Sequence, residues 1–235
     1  MSRGNTITRL LSVLILAGGL ALAGCGGDEE RDPSGAAQAD ALDGGADGGA
    51  GAWSAVVLDP TLKAPSKLSA TGIARRVNGK LELNPEMVPY ELSVPLFSDY
   101  AVKRRALWLP KGAAITWKAT GPLKFPVGSI IVKSFLFPED MRKPTQDLRL
   151  VETRVMVRAE SEWKAWPYVW DDDGQDASLK VGGVVKSLDF VDAKGKDQVA
   201  SYLVPQRNQC LDCHDHQESS GSYTDIIGPK ARYLN

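Results

Sequence analysis

Near the carboxyl end, Cys210-Leu211-Asp212-Cys213-His214 sets two thiols and an imidazole in a C-x-x-C-H pattern. That spacing is the attachment signature of c-type haem. Two thiols three positions apart on one turn can each add across a vinyl group at a porphyrin edge, giving two thioethers. A histidine directly after the second cysteine is carried beneath the iron, where a ring nitrogen becomes the proximal ligand. The residues therefore predict one covalent haem c, held by Cys210, Cys213 and His214.

Three plainer uses compete for the same residues. A structural zinc wants four ligands, usually as two separated pairs. This chain offers Cys210, Cys213, His214 and His216 in one short stretch, which is poor geometry. A thioredoxin-like redox pair wants a βαβ context that the sequence lacks. A short-loop disulfide leaves His214 without a role. The second axial position on the iron stays open, because no methionine follows Cys213. His216 is tethered on the same side as the proximal ligand. Met87 and Met141, both in proline-containing loops, are the distal candidates, and loops are where sites are commonly built. Met156 falls in a regular strand and reads as core filling.

The remaining cysteine, Cys25, ends a leader. Arg3 and Arg9 precede an apolar run over residues 10–23, too short to span a bilayer as helix. Leu22-Ala23-Gly24-Cys25 resembles a bacterial lipobox, which predicts cleavage before Cys25 and acylation of its thiol, with membrane lipid as the partner. An ordinary cleaved signal peptide is the alternative. Gly26 after the lipid-bearing position favours the outer membrane of a Gram-negative cell, by resemblance to the lipoprotein sorting pattern. Haem c is attached outside the cytoplasm, so leader and motif agree. Residues 26–52 are Gly, Ala, Asp and Glu with almost no large apolar side chain, which predicts an unfolded acidic spacer. The formal net charge is −1 and no Lys/Arg-rich run exists, so nucleic acid is not the expected partner. No GxGxxG, P-loop, HExxH or GxSxG pattern appears.

The elements that must position the motif read as strands. Candidates fall at residues 105–109, 114–118, 123–125, 129–137, 149–158, 162–170 and 199–204, separated by Pro/Gly turns such as Pro110-Lys111-Gly112. In 149–158 the odd positions (Val151, Thr153, Val155, Val157) predict a buried face, and the mostly charged even positions predict a solvated one. Short helical turns are expected near residues 100–104 and after Cys210. The expected fold is mainly β, a sandwich or irregular barrel-like domain, with a short, partly helical C-terminal haem-binding segment. The domain boundaries read as a leader at 1–24, a linker at 25–52, a β domain at 53–204 and the haem segment at 205–235.

Three further features have a plain reading and a functional alternative. Trp163, Trp166, Tyr168 and Trp170 read as ordinary core, with haem walls as the alternative. Asp171-Asp172-Asp173 reads as a solvated turn, because most ligand positions of a calcium loop are missing. Lys103-Arg104-Arg105 and Lys230-Ala231-Arg232 read as solvated basic faces, with pairing to haem carboxylates as the alternative.

Several of these stretches resemble one family. The run Val88-Pro89-Tyr90-Glu91-Leu92-Ser93-Val94-Pro95-Leu96-Phe97-Ser98-Asp99-Tyr100-Ala101-Val102-Lys103-Arg104-Arg105 is similar to a block in a family of exported bacterial c-type haem (cytochrome c domain-containing) proteins. So are Phe125-Pro126-Val127-Gly128, Glu152-Thr153-Arg154, Tyr168-Val169-Trp170, Asn208-Gln209-Cys210 through His214, and Ile227-Gly228-Pro229-Lys230-Ala231-Arg232-Tyr233-Leu234-Asn235. The resemblance covers roughly residues 70–235 and implies haem attachment at Cys210, Cys213 and His214, with no reaction attached to it. Motif and leader together predict a lipid-anchored electron carrier in the cell envelope, working with a redox partner protein. A haem enzyme or gas or peroxide sensor with an open distal site is the second reading. A non-haem binding or structural lipoprotein with a CxxC disulfide is the third.

Overall fold

A computed structural model of the chain describes residues 52–218 and 221–234; the expected leader, Cys25 and the expected spacer up to residue 51 lie outside them. The first hairpin follows from Asn78-Gly79. β1 (Ala74–Val77) and β2 (Lys80–Leu83) pair with Val77 opposite Lys80. The two loop residues take φ of +49° and +82°, the left-handed pair that a two-residue hairpin turn requires.

The centre of the fold is a six-stranded antiparallel sheet in chain order. It comprises β3 (Val88–Pro89), β4 (Val102–Trp108), β5 (Ile130–Pro138), β6 (Leu148–Arg158), β7 (Trp163–Trp170) and β8 (Ala177–Leu179). β9 (Val184–Val191) and β10 (Asp197–Val204) form a separate hairpin. The chain then runs through α1 (Arg207–His214) into a short pair, β11 (Asp215–Glu218) and β12 (Gly221–Thr224).

Both faces of the sheet are covered, which gives the sandwich-like layering that the strand pattern led us to expect. On one face Val102, Ala106, Ile130, Val132, Leu136, Val155, Val157, Trp166, Tyr168 and Trp170 pack against residues 58–87, including Leu68, Ile73, Leu81 and Met87. Polar groups within this core pair with one another: Trp170 Nε1 donates to Thr153 Oγ1 at 3.0 Å, and Thr153 and Ser134 hydroxyls meet at 2.9 Å. On the other face Phe135, Phe137, Val151 and Val169 pack against Leu188, Tyr202 and Val204 of the β9–β10 hairpin. A second cluster on that face contains Ile131, Met156, Trp163 and Ala165, covered by Phe125, Cys210 and Ile226.

Several sequence expectations change here. Residues 100–104 do not form a helical turn. Asp99 and Tyr100 have φ of +46° and +63°, a left-handed reversal that delivers the chain straight into β4. Residues 114–118 and 123–125 pair only through an isolated bridge, Thr116 to Lys124, because the neighbouring Pro and Gly residues break the ladder. The odd and even faces of β6 are both buried, since each side of the sheet carries a covering layer. The parity also breaks. A bulge between the Phe135–Glu152 and Leu136–Leu150 pairs leaves Val151 unpaired and turns it to the hairpin-covered side. Among the described residues, no helix is long and apolar enough to cross a membrane.

Candidate functional site

The C-x-x-C-H residues form the second half of α1. The helix starts with a side-chain cap: Gln209 Oε1 accepts from the Gln206 backbone N–H at 3.0 Å, three residues back, as in a capping box. Arg207 N donates to Val181 O at 3.0 Å, pinning the helix start to the loop after β8. Helical spacing puts positions 210, 213 and 214 on one face of α1. The Cys213 side chain lies outside what the structure describes. Cys210 does not: it is 8% exposed and packs with Met156, Trp163, Ala165, Phe125 and Ile226.

His214 is the last residue of the helix and half-buried. Its Nδ1 lies 2.8 Å from the backbone carbonyl oxygen of Asp225. A carbonyl can only accept, so Nδ1 carries a proton, and in a neutral ring the lone pair is then on Nε2. That is the tautomer and orientation of a metal-ligating histidine held by a backbone carbonyl. Asp225 N donates back to His214 O at 2.9 Å, and Ile226 N donates to Asp225 Oδ1 at 2.7 Å, so the acceptor carbonyl is itself held in place. The β11–β12 hairpin between them closes this loop, with His216 opposite Tyr223 in register.

The methionines separate. Met87 is buried in the core on the opposite face of the sheet from Cys210, packed with residues such as Val102 and Ala106. Met141 is half-buried beside Phe137 and Leu188, and its N–H donates to Val191 O at 2.8 Å. Met156 is the methionine that shares a cluster with Cys210. The aromatics divide likewise: Trp166, Tyr168 and Trp170 build the Met87 side, whereas Trp163 lies against Phe125 at 5.6 Å in the Cys210 cluster.

The basic run at 103–105 is not a solvated face. Lys103 is 1% exposed and Arg105 3%, both on the same side of the sheet as Cys210, while Arg104 is half-buried on the other side. Register places Arg105 opposite Lys133, and Lys133 opposite Arg154. Like charges directly across strands repel. Glu152, fully buried, takes Arg154 in two hydrogen bonds of 2.8 and 2.7 Å and a third from Tyr202 at 3.0 Å. Glu91 accepts from Arg105 Nη1 at 3.2 Å. Lys133 lies 4.8 Å and Arg154 4.4 Å from the Phe135 ring centroid. Of the C-terminal basic residues, Lys230 is half-buried, and Arg232 is exposed over the Tyr233 ring at 4.7 Å.

Burial, then repulsion from Arg105, Arg154 and Lys103, pushes the Lys133 ammonium down to about 7, with Glu152 opposing. In the unfolded chain it titrates near 10.4. Between those values the unfolded chain holds the extra proton, so stability rises with pH through this window. Urea unfolding from pH 7 to 9 should show that rise in the wild type and lose it in Lys133→Met. The upper limit avoids Tyr90, which burial holds at about 12 and which pulls the other way in strong alkali.

The acidic turn at 171–173 is solvated, as its sequence predicts, with Asp172 and Asp173 exposed, and it is also tied to the fold. Asp171 pairs with Lys67 at 2.6 Å and Asp172 with Lys186 at 3.1 Å, beside a cavity of about 470 Å³ also lined by Arg76 and Arg149. Neither Cys210 nor His214 lines it. Among the described residues no group of three or more His, Cys, Asp or Glu is placed to hold a bare metal ion.

Comparison with protein-family models, curated proteins and solved structures gives no match to this chain. Sequence reasoning missed the Asp225 carbonyl, which has no side-chain signal. It also missed Lys133, which does have one: a single charged residue among Ile131, Phe135 and Phe137 on one side of a strand.

Proposed function

We propose that this chain is a membrane-tethered c-type haem protein that transfers single electrons in the bacterial cell envelope. The observation that carries the reading is the Nδ1 hydrogen bond from His214 to the Asp225 carbonyl. It prepares Nε2 as an electron-pair donor, a role that a CxxC disulfide does not use. Cys210 and Cys213 would hold the porphyrin covalently, His214 would ligate the iron, and the bound haem would supply one-electron redox chemistry. The chain's own contribution is positional. The Gln209 cap and the Arg207–Val181 bond fix the helix, Asp225 fixes the imidazole, and Trp163, Phe125, Met156 and Ile226 exclude water around Cys210. Cys25 would anchor the chain to lipid.

A second reading has one observation in its favour. Met87 and Met141 sit away from the Cys210 cluster, so a site open to small ligands is the competing form. Expression of the full chain with and without the haem-attachment machinery tests both. The expected product is coloured, gives a pyridine haemochrome, keeps its haem after denaturation, and binds carbon monoxide slowly when reduced. Rapid carbon monoxide binding would move the reading to the open-site form. A colourless product with both sulfurs reduced or joined would end the haem reading altogether.

A further inference from the structure

The row Arg105–Lys133–Arg154 is costly as it stands. Three basic side chains face one another across adjacent strands, with Lys103 in the next row along β4. Among the described residues, the carboxylates that offset this row are Glu152, committed to Arg154 and Tyr202, and Glu91, on one nitrogen of Arg105. Arg105 Nη2 is buried and has no hydrogen-bond partner among the described residues. Lys133 is half-buried, with its ammonium over the Phe135 ring, and among the described residues its side chain makes no hydrogen bond. A buried guanidinium nitrogen without an acceptor is costly, so its retention beside Lys133 calls for an acceptor from outside the sheet.

The position of the row says what could supply one. The next row on the same face is Leu107, Ile131, Met156 and Ala165, one two-residue step or about 7 Å away. Ile131, Met156 and Ala165 pack with Cys210, and Cys210 is close enough to act electrostatically on Arg154. An apolar wall beneath a thiol and, beside it, a buried guanidinium nitrogen lacking an acceptor and the half-buried Lys133 match a flat apolar group that carries carboxylates.

We propose that Arg105 and Lys133 form a carboxylate-binding site, with Arg154 behind them, and that the acid groups of a haem attached at Cys210 occupy it. The assignment of the occupant rests on the haem reading; the anion site does not. Arg105 keeps Glu91 on Nη1 and offers Nη2, and Lys133 offers Nζ, two charge-assisted donors on neighbouring strands.

The test uses the full chain in two forms, haem-loaded and Cys210→Ala/Cys213→Ala. Thermal midpoints are measured in sodium phosphate or sodium succinate against sodium chloride at matched ionic strength. The haem-free form should be stabilised by both oxyanions over chloride. Lys133→Met should weaken that response about tenfold or more while raising the midpoint in chloride, and Arg105→Lys should weaken it without losing the fold. The loaded form should show no oxyanion response, and Lys133→Met should lower its reduction potential, because a nearby cation favours the reduced iron. An equal response in both forms would keep the anion site and overturn the haem carboxylate as its occupant. No oxyanion response in the haem-free form, with an unchanged potential in the loaded variants, would overturn the site itself. Failure to attach haem would sink the function proposed above, and the haem-free measurements would still decide the anion site.

Discussion

Glu152→Ala is expected to destabilise the fold by about 3–5 kcal/mol, the scale for removing one partner from a buried ion pair. The carboxylate is fully buried and takes both Arg154 nitrogens and the Tyr202 hydroxyl. Its removal leaves Arg154 without a counter-charge beside Lys133. It also leaves the Tyr202 hydroxyl, whose ionisation burial already opposes, without an acceptor. Burial opposes the Arg154 charge as well, and the Glu152 contact more than offsets that. Typical domain stabilities are about 5–15 kcal/mol, so the variant should lose a large share of its folded population under mild denaturant. Urea midpoints at low salt give the value. The double variant Glu152→Met/Arg154→Met should recover most of the loss, since it removes both charges together. If the single variant costs under about 1 kcal/mol, water reaches this row and the buried-charge account is wrong.

That row also marks where sequence reasoning stops. The strands at 129–137, 149–158, 162–170 and 199–204 were legible because β-branched and aromatic residues concentrate there between Pro and Gly turns. The hairpin at Asn78-Gly79 carried a turn signal of the same strength, but its flanking strands are short and mixed in charge, so it was not singled out. The charged side of β6 was legible as alternation and misleading as solvation. Alternation says which residues share a face, and only the covering layer says whether that face meets water. Here the β9–β10 hairpin and the C-terminal segment supply the cover, and the bulge at Val151 shifts part of the strand to the other side. At the site, Cys210 and His214 were legible by type and spacing, whereas the Asp225 carbonyl belongs to the backbone and the Arg105–Lys133–Arg154 alignment belongs to register. Neither exists until the strands pair.

His214→Ala separates the haem reading from every plainer use of the motif. If the imidazole ligates iron, its loss should cut covalent haem incorporation severely, and the pigmented fraction that survives should be high-spin. Added imidazole should restore a low-spin spectrum in that fraction by filling the vacated position. The peptide scaffold should tolerate the change. His214 ends its helix, half-buried, and Asp225 N still donates to the backbone carbonyl of residue 214, so the far-ultraviolet signature and urea midpoint of the haem-free chain should move little. A disulfide predicts a different pattern: the variant would keep its thiol redox state and show no imidazole response. A structural histidine predicts a third: loss of the Nδ1 bond to Asp225 would loosen the β11–β12 hairpin and lower the midpoint with no optical consequence. An optical spectrum with and without imidazole, set beside one unfolding curve, tells the three apart. An unchanged low-spin spectrum in His214→Ala would remove the histidine from the iron and with it the reason the hydrogen bond to Asp225 was given a function.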